Sequence, residues 1–184
     1  DYYFTPDKLE AYKDGNFLKG GIVFADAVTT VSNTYADEIK TPFYGEGLDG
    51  LLRARSNSLR GIVNGIDYND FNPETDINLS ARYNATTFRK EKVKNKIQLQ
   101  KDLGLEQDPK AMMIGIVSRL TDQKGFDLIA YIMDELCQDS VQIVALGTGD
   151  ERYENMFRHF DWKYHGKVSA QIYYDEAMSH RIYA

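Results

Sequence analysis

Two cations, Arg119 and Lys124, sit in the segment Val117-Ser118-Arg119-Leu120-Thr121-Asp122-Gln123-Lys124-Gly125, between an apolar run that ends at Val117 and a periodic run that opens at Phe126. A guanidinium offers a planar fork to phosphate oxygens, an ammonium offers a compact charge, and a helix start adds free N–H groups and a partial positive charge. Together they suit a diphosphate. On spacing alone, solvated or salt-bridged surface cations fit as well, because the chain carries 28 acidic residues against 22 Lys and Arg.

Two further segments have the same strand-to-helix setting. Leu146-Gly147-Thr148-Gly149-Asp150 places Gly147 and Gly149 where backbone can come close to a ligand. A Gly-x-Gly after a strand is also a common tight turn, and the third glycine of the dinucleotide fingerprint is missing. Tyr173-Tyr174-Asp175 offers aromatic rings to a nucleotide base, although packing is the more frequent use of a tyrosine at a strand end. His159, His165 and His180 have no metal-ligand spacing with one another or with Cys137, so no metal and no cofactor is assigned.

These segments need a scaffold that presents them on one edge. From Lys90 the pattern is regular: a charged helix to Leu103 stopped by Gly104, a strand at Met112 to Val117, and a helix from Phe126 to Leu136. A strand at Val141 to Leu146, a helix after Asp150, a strand at Val168 to Tyr173 and a helix from about Asp175 follow. Apolar strands alternating with helices predict an α/β fold, a parallel sheet with right-handed crossovers and helices on both faces. Ligands bind beyond the carboxyl ends of such strands, which is where all three segments fall.

The first third reads as shorter elements. A strand at Val28 to Ser32 leads to a helix opening at Thr34, with Asp37 at capping-box spacing. A turn-rich stretch, Thr41 to Gly50, precedes a brief helix at Leu51 and Leu52 and a buried strand at Leu59 to Val63. After Asn64-Gly65-Ile66-Asp67 the chain is rich in Asn, Asp, Pro, Glu and Thr as far as Thr87 and has almost no apolar period, which predicts an interdomain linker. The expected division is 1–66 and 67–184. The chain stops inside a helical pattern at Ala184 and is read as cut at both ends, with an unpaired sheet edge that predicts self-association.

Bulk composition narrows the function classes. With 42% apolar and 27% charged residues the chain is an ordinary globular sequence, and no apolar run approaches the roughly 20 residues of a membrane span. A net charge of −6 disfavours nucleic acid as a partner. The lone Cys137 and the absence of a signal-peptide pattern fit a reducing, cytoplasmic setting. Oligomeric state is not legible.

The segments Ala25-Asp26-Ala27-Val28-Thr29-Thr30-Val31-Ser32, Gly45-Glu46-Gly47-Leu48-Asp49-Gly50, Val63-Asn64-Gly65-Ile66-Asp67 and Ser118-Arg119-Leu120-Thr121-Asp122-Gln123-Lys124-Gly125 resemble, in order, the bacterial glycogen synthase and plant starch synthase family. The similarity continues through Leu146 to Asp150 and Tyr174-Asp175-Glu176-Ala177-Met178-Ser179-His180-Arg181, so it covers nearly the whole chain. The resemblance implies a GT-B glycosyltransferase, two Rossmann-like domains facing across a cleft, with 1–66 from the acceptor-side domain and 67–184 from the nucleotide-sugar domain. It implies transfer of glucose from ADP-glucose to an α-1,4-glucan with retention of configuration and without a metal.

By the same resemblance Arg119 and Lys124 hold the diphosphate and stabilise it as leaving group, Tyr174 contacts adenine, and Asn64 faces the sugar site; Gly147 and Gly149 are kept as substrate-binding candidates on their place in the loop. Three family segments have no counterpart in this sequence: an N-terminal Lys-rich glycine loop, an upstream histidine and a downstream Glu-containing segment. The chain by itself is therefore expected to be inactive. Two other readings stay open, a related retaining glycosyltransferase with another donor or acceptor and a catalytically silent glucan-binding homologue.

Overall fold

A computed structural model describes residues 2–184. The chain divides into two compact units, one ending at Ile66 and the other Asp67–Ala184.

The first unit opens with a short antiparallel pair, β1 (Glu10–Ala11) and β2 (Asp14–Gly15), followed by helix α1 (Phe17–Phe24). Asn16 starts α1 by accepting the Lys19 N–H at 2.9 Å. Strand β3 (Val28–Val31) pairs in parallel with β4 (Leu59–Ile62), in the register Val28 to Leu59, with helices α2 (Asn33–Glu38) and α3 (Asp49–Ala54) between them. Its core is Ala36, Ile39, Leu52 and Leu59. Helix α2 begins one residue before Thr34: Ser32 is the cap and accepts the Tyr35 N–H at 3.0 Å. Only the start of β4 is buried; Ile62 and Val63 are exposed, unlike the buried strand expected there.

The second unit holds a parallel sheet in the order β5 (Met112–Val117), β6 (Val141–Leu146), β7 (Val168–Gln171). Strand alternation shows how its faces are covered. Ile114 and Ile116 of β5 and Ile143 and Ala145 of β6 pack against Phe126 and Met133 of α5 (Phe126–Leu136) and Phe157 and Phe160 of α6 (Glu151–Lys163). The intervening Gly115 faces Ile182 of α7 (Glu176–Tyr183), and Gln142 meets Gln100 of α4 (Phe88–Asp102) at 2.6 Å. Helices therefore lie on both faces, as the alternating sequence predicts. Strand β7 ends at Gln171, two residues short of the expected Tyr173, which leaves both tyrosines in the loop.

The stretch between Asp67 and Thr87 is not a loose linker. It is folded onto the second unit by polar contacts: Asn95 of α4 brackets Ala81, accepting its N–H at 2.8 Å and donating to its carbonyl at 2.7 Å, and Tyr83 N–H reaches Pro73 O at 3.0 Å. These bonds have no hydrophobic period, which is why the sequence reads as a linker.

Candidate functional site at the sheet edge

At the carboxyl end of the sheet the ladder runs on past the strands. Ser118 N–H donates to Leu146 O at 3.2 Å, Leu120 N–H to Thr148 O at 2.9 Å, and Asp150 N–H to Leu120 O at 2.8 Å. The loops after β5 and β6 are thus sewn together by backbone. Such a close approach explains the two glycines. A Cβ at Gly147, where φ is +151°, would overlap the Ser118 carbonyl oxygen, and one at Gly149 would fall 2.3 Å from Leu120 O. Their N–H groups are also committed, Gly147 to Gln171 O at 3.1 Å and Gly149 to Glu154 Oε1 at 3.0 Å. That last bond holds the Glu154 carboxyl below its usual range. The immediate role of Gly147 and Gly149 is to let backbone meet backbone, and the Thr148 N–H between them is unpaired among the described residues.

The cations stand differently. Arg119 and Lys124 are both exposed, and neither side chain has a carboxylate or hydrogen-bond partner among the described residues. The carboxylate nearest in sequence, Asp122, is occupied. Tyr153, buried in α6, donates its phenol to Asp122 Oδ1 at 2.5 Å, and Arg152 pairs with the same oxygen while lying over the Tyr153 ring. Asp122 opens a 3-10 turn, Asp122–Lys124, closed by Gly125 at φ +71°, and α5 starts there without a side-chain cap. Lys124 therefore stands at the head of an uncapped helix with its charge unspent, an arrangement that favours an anion.

A cleft of about 190 Å³ opens at this edge, lined among others by Arg119, Gly147, Thr148, Tyr174 and Asp175. Tyr174 is 85% exposed and makes no hydrogen bond among the described residues. Its neighbour Tyr173 is tied to Gln171 Oε1 at 2.7 Å. Asp175 caps α7, accepting the Met178 N–H at 2.6 Å, so the helix starts where the sequence predicts. The structure brings Arg119, Gly147 and Tyr174 to one cleft; Lys124 and Gly149 stand outside its wall. Asn64 lies in the first unit, exposed and without a hydrogen bond among the described residues. The Asp122–Tyr153 contact has no signal in the sequence, because 31 residues separate the partners. Among the described residues no group of three or more His, Cys, Asp or Glu stands in position to hold a metal ion.

The family profile described as starch synthase catalytic domain matches residues 1–54. The chain is 71% identical, over its whole length, to a glycogen synthase of Lachnospira eligens, and 61% identical to one of Lachnoclostridium phytofermentans. The catalytic domain of starch synthase IV from Arabidopsis thaliana, bound to ADP and acarbose, superposes with a TM-score of 0.90 at 35% identity over 99% of this chain. Over its whole length this chain is thus similar to the glycogen synthase and starch synthase family. It spans 38% of the length of each of these two bacterial synthases and 38% of the Arabidopsis chain. The synthase family's GT-B architecture accounts for the separate parallel sheets of the two units. No helix among the described residues is long and apolar enough to cross a membrane.

Proposed function

We propose that this chain supplies the leaving-group wall of a glucan synthase that moves glucose from ADP-glucose to the non-reducing end of an α-1,4-glucan with retention of configuration. In this reading residues 1–66 close the acceptor-side domain, residues 67–184 open the nucleotide-sugar domain, and Asn64 faces the sugar from the first of these. The observation that carries it is the cleft itself: an unpartnered guanidinium and an unpartnered aromatic ring share one small cavity at the carboxyl edge of a parallel sheet.

The chemistry follows from charge. Breaking the bond from glucose to the nucleotide builds negative charge on the departing phosphate oxygen. Cations standing nearby, and free of internal ion pairs, can turn to that charge and stabilise it more than the ground state. Arg119 and Lys124 fit this requirement, and Tyr174 offers a stacking face to the adenine. No cofactor enters. A cytoplasmic location suits the single, buried, unpaired Cys137.

The test is a donor screen on the whole enzyme that carries this chain, with glycogen as acceptor. Incorporation from ADP-glucose into α-1,4-linked product supports the reading. Preference for another nucleotide sugar moves it to a related glycosyltransferase, and no transfer from any donor returns it to a silent glucan-binding protein.

A further inference from the structure

Helix α7 has two ends with different neighbours. Its start forms part of the cleft wall, through Tyr174, Asp175 and Ser179. The next residue, His180, is buried and turned toward the strap of residues 67–83. His180 Nδ1 lies 2.6 Å from Asp76 Oδ2, and the two side chains are only 5% and 7% exposed. Phe71 stacks on the imidazole at 4.5 Å and meets Tyr183 edge-on at 6.3 Å. Asp76 is held from its other oxygen, which accepts the backbone and side-chain N–H groups of Asn78 at 2.8 and 3.0 Å. Arg181 adds a bond from Nε to Asn78 O at 3.3 Å.

Burying a carboxylate beside an imidazole is a poor way to gain stability, since the desolvation cost roughly cancels the attraction and an apolar pair often does as well. What a hydrogen-bonded buried pair does well is select one arrangement over its neighbours. The arrangement selected in this case is the seating of α7. Its eight residues make a rod about 12 Å long, so a shift at His180 is felt at Tyr174. Tyr174 has no bond of its own to hold it, because β7 has already ended at Gln171.

We infer that Asp76 and His180 are positioning residues for the nucleotide side of the cleft, a latch that holds α7 so that Tyr174 stands opposite Arg119. The inference rests on the donor-site reading given above. Neither residue touches the cleft's ligand; they act through the helix.

In the whole enzyme, Asp76→Asn and His180→Ala should raise the KM for ADP-glucose about tenfold while kcat stays within about twofold. His180→Asn, whose amide nitrogen can take the place of Nδ1, should bring KM most of the way back. Hydrogen exchange gives a readout independent of turnover: the Met178 and Ser179 amides should exchange faster in Asp76→Asn and His180→Ala, with β6 unchanged. If the variants melt lower yet keep the wild-type KM and wild-type exchange at Met178 and Ser179, the pair is only structural and the inference fails. If the wild type itself transfers nothing from ADP-glucose, the functional reading fails, and the exchange measurement alone decides the latch, with unchanged exchange overturning it.

Discussion

The carbonyl oxygen of Ser118 occupies the space in which residue 147 would place a Cβ. Any side chain there must push apart the loops after β5 and β6, and it must also adopt φ near +151°, a region open to glycine alone. Gly147→Ala should therefore cost on the order of 2 to 5 kcal/mol, combining backbone strain with overpacking. Thermal or denaturant unfolding of the whole enzyme measures it, and a loss below about 1 kcal/mol would mean that the loops are free to move apart.

Tyr153 keeps Asp122 away from the neighbouring cations. Tyr153→Phe removes two hydrogen bonds, the one donated to the Asp122 carboxylate and the one accepted from the Arg152 guanidinium at 2.8 Å, and should lower stability by about 1.5 to 3 kcal/mol. It also releases Asp122 to compete for Lys124, so donor KM should rise severalfold. Steady-state kinetics checks this. An unchanged KM would show that Arg152 alone holds the carboxylate.

Burial pushes the Asp76 carboxyl up, but the hydrogen bonds from His180 and Asn78 outweigh it and hold the group below its ordinary value of 3.8. The sign is that of a depressed acid: the stability it contributes is fully present above the unfolded value and is lost as pH falls through the lower folded one. Asp76→Asn should cost about 1.5 to 3 kcal/mol at neutral pH. The gap in unfolding free energy between wild type and variant should narrow below about pH 4. A gap that stays constant from pH 7 to pH 3 would contradict the pairing.

The contrast between strap and sheet explains what the sequence could reveal. The β5, α5 and β6 boundaries coincide with the apolar runs Met112–Val117, Phe126–Leu136 and Val141–Leu146, because each buries a face and so imposes a period on the residues. The start of α7 near Asp175 was legible because helix starts are marked locally, and the structure shows Asp175 to be the cap. The strap is held by bonds such as Asp76 to His180, 104 residues apart, and long-range polar pairing leaves no period to read. Helix α1 is hidden for a different reason: Gly20 and Gly21 lower its helix propensity, and only the Asn16 cap marks its start. At the site, Arg119 and Tyr174 were visible as residue types at strand ends. The commitment of the Gly147 and Gly149 N–H groups to Gln171 and Glu154 was not, since both glycines look equally suited to a ligand.

The most direct measurement is glucose transfer from ADP-glucose to glycogen by the whole enzyme carrying Arg119→Ala, Arg119→Lys or Lys124→Ala, each compared with wild type. A preorganised cation facing the leaving phosphate is worth about 3 to 4 kcal/mol of transition-state binding. Both alanine variants should therefore lose on the order of a hundredfold or more in kcat/KM. Arg119→Lys should not restore activity, because the bidentate fork is gone. Since both side chains are exposed and unbonded within the described chain, unfolding midpoints should stay close to wild type. Near-normal turnover in Arg119→Ala would contradict the account and leave Arg119 a solvated surface charge.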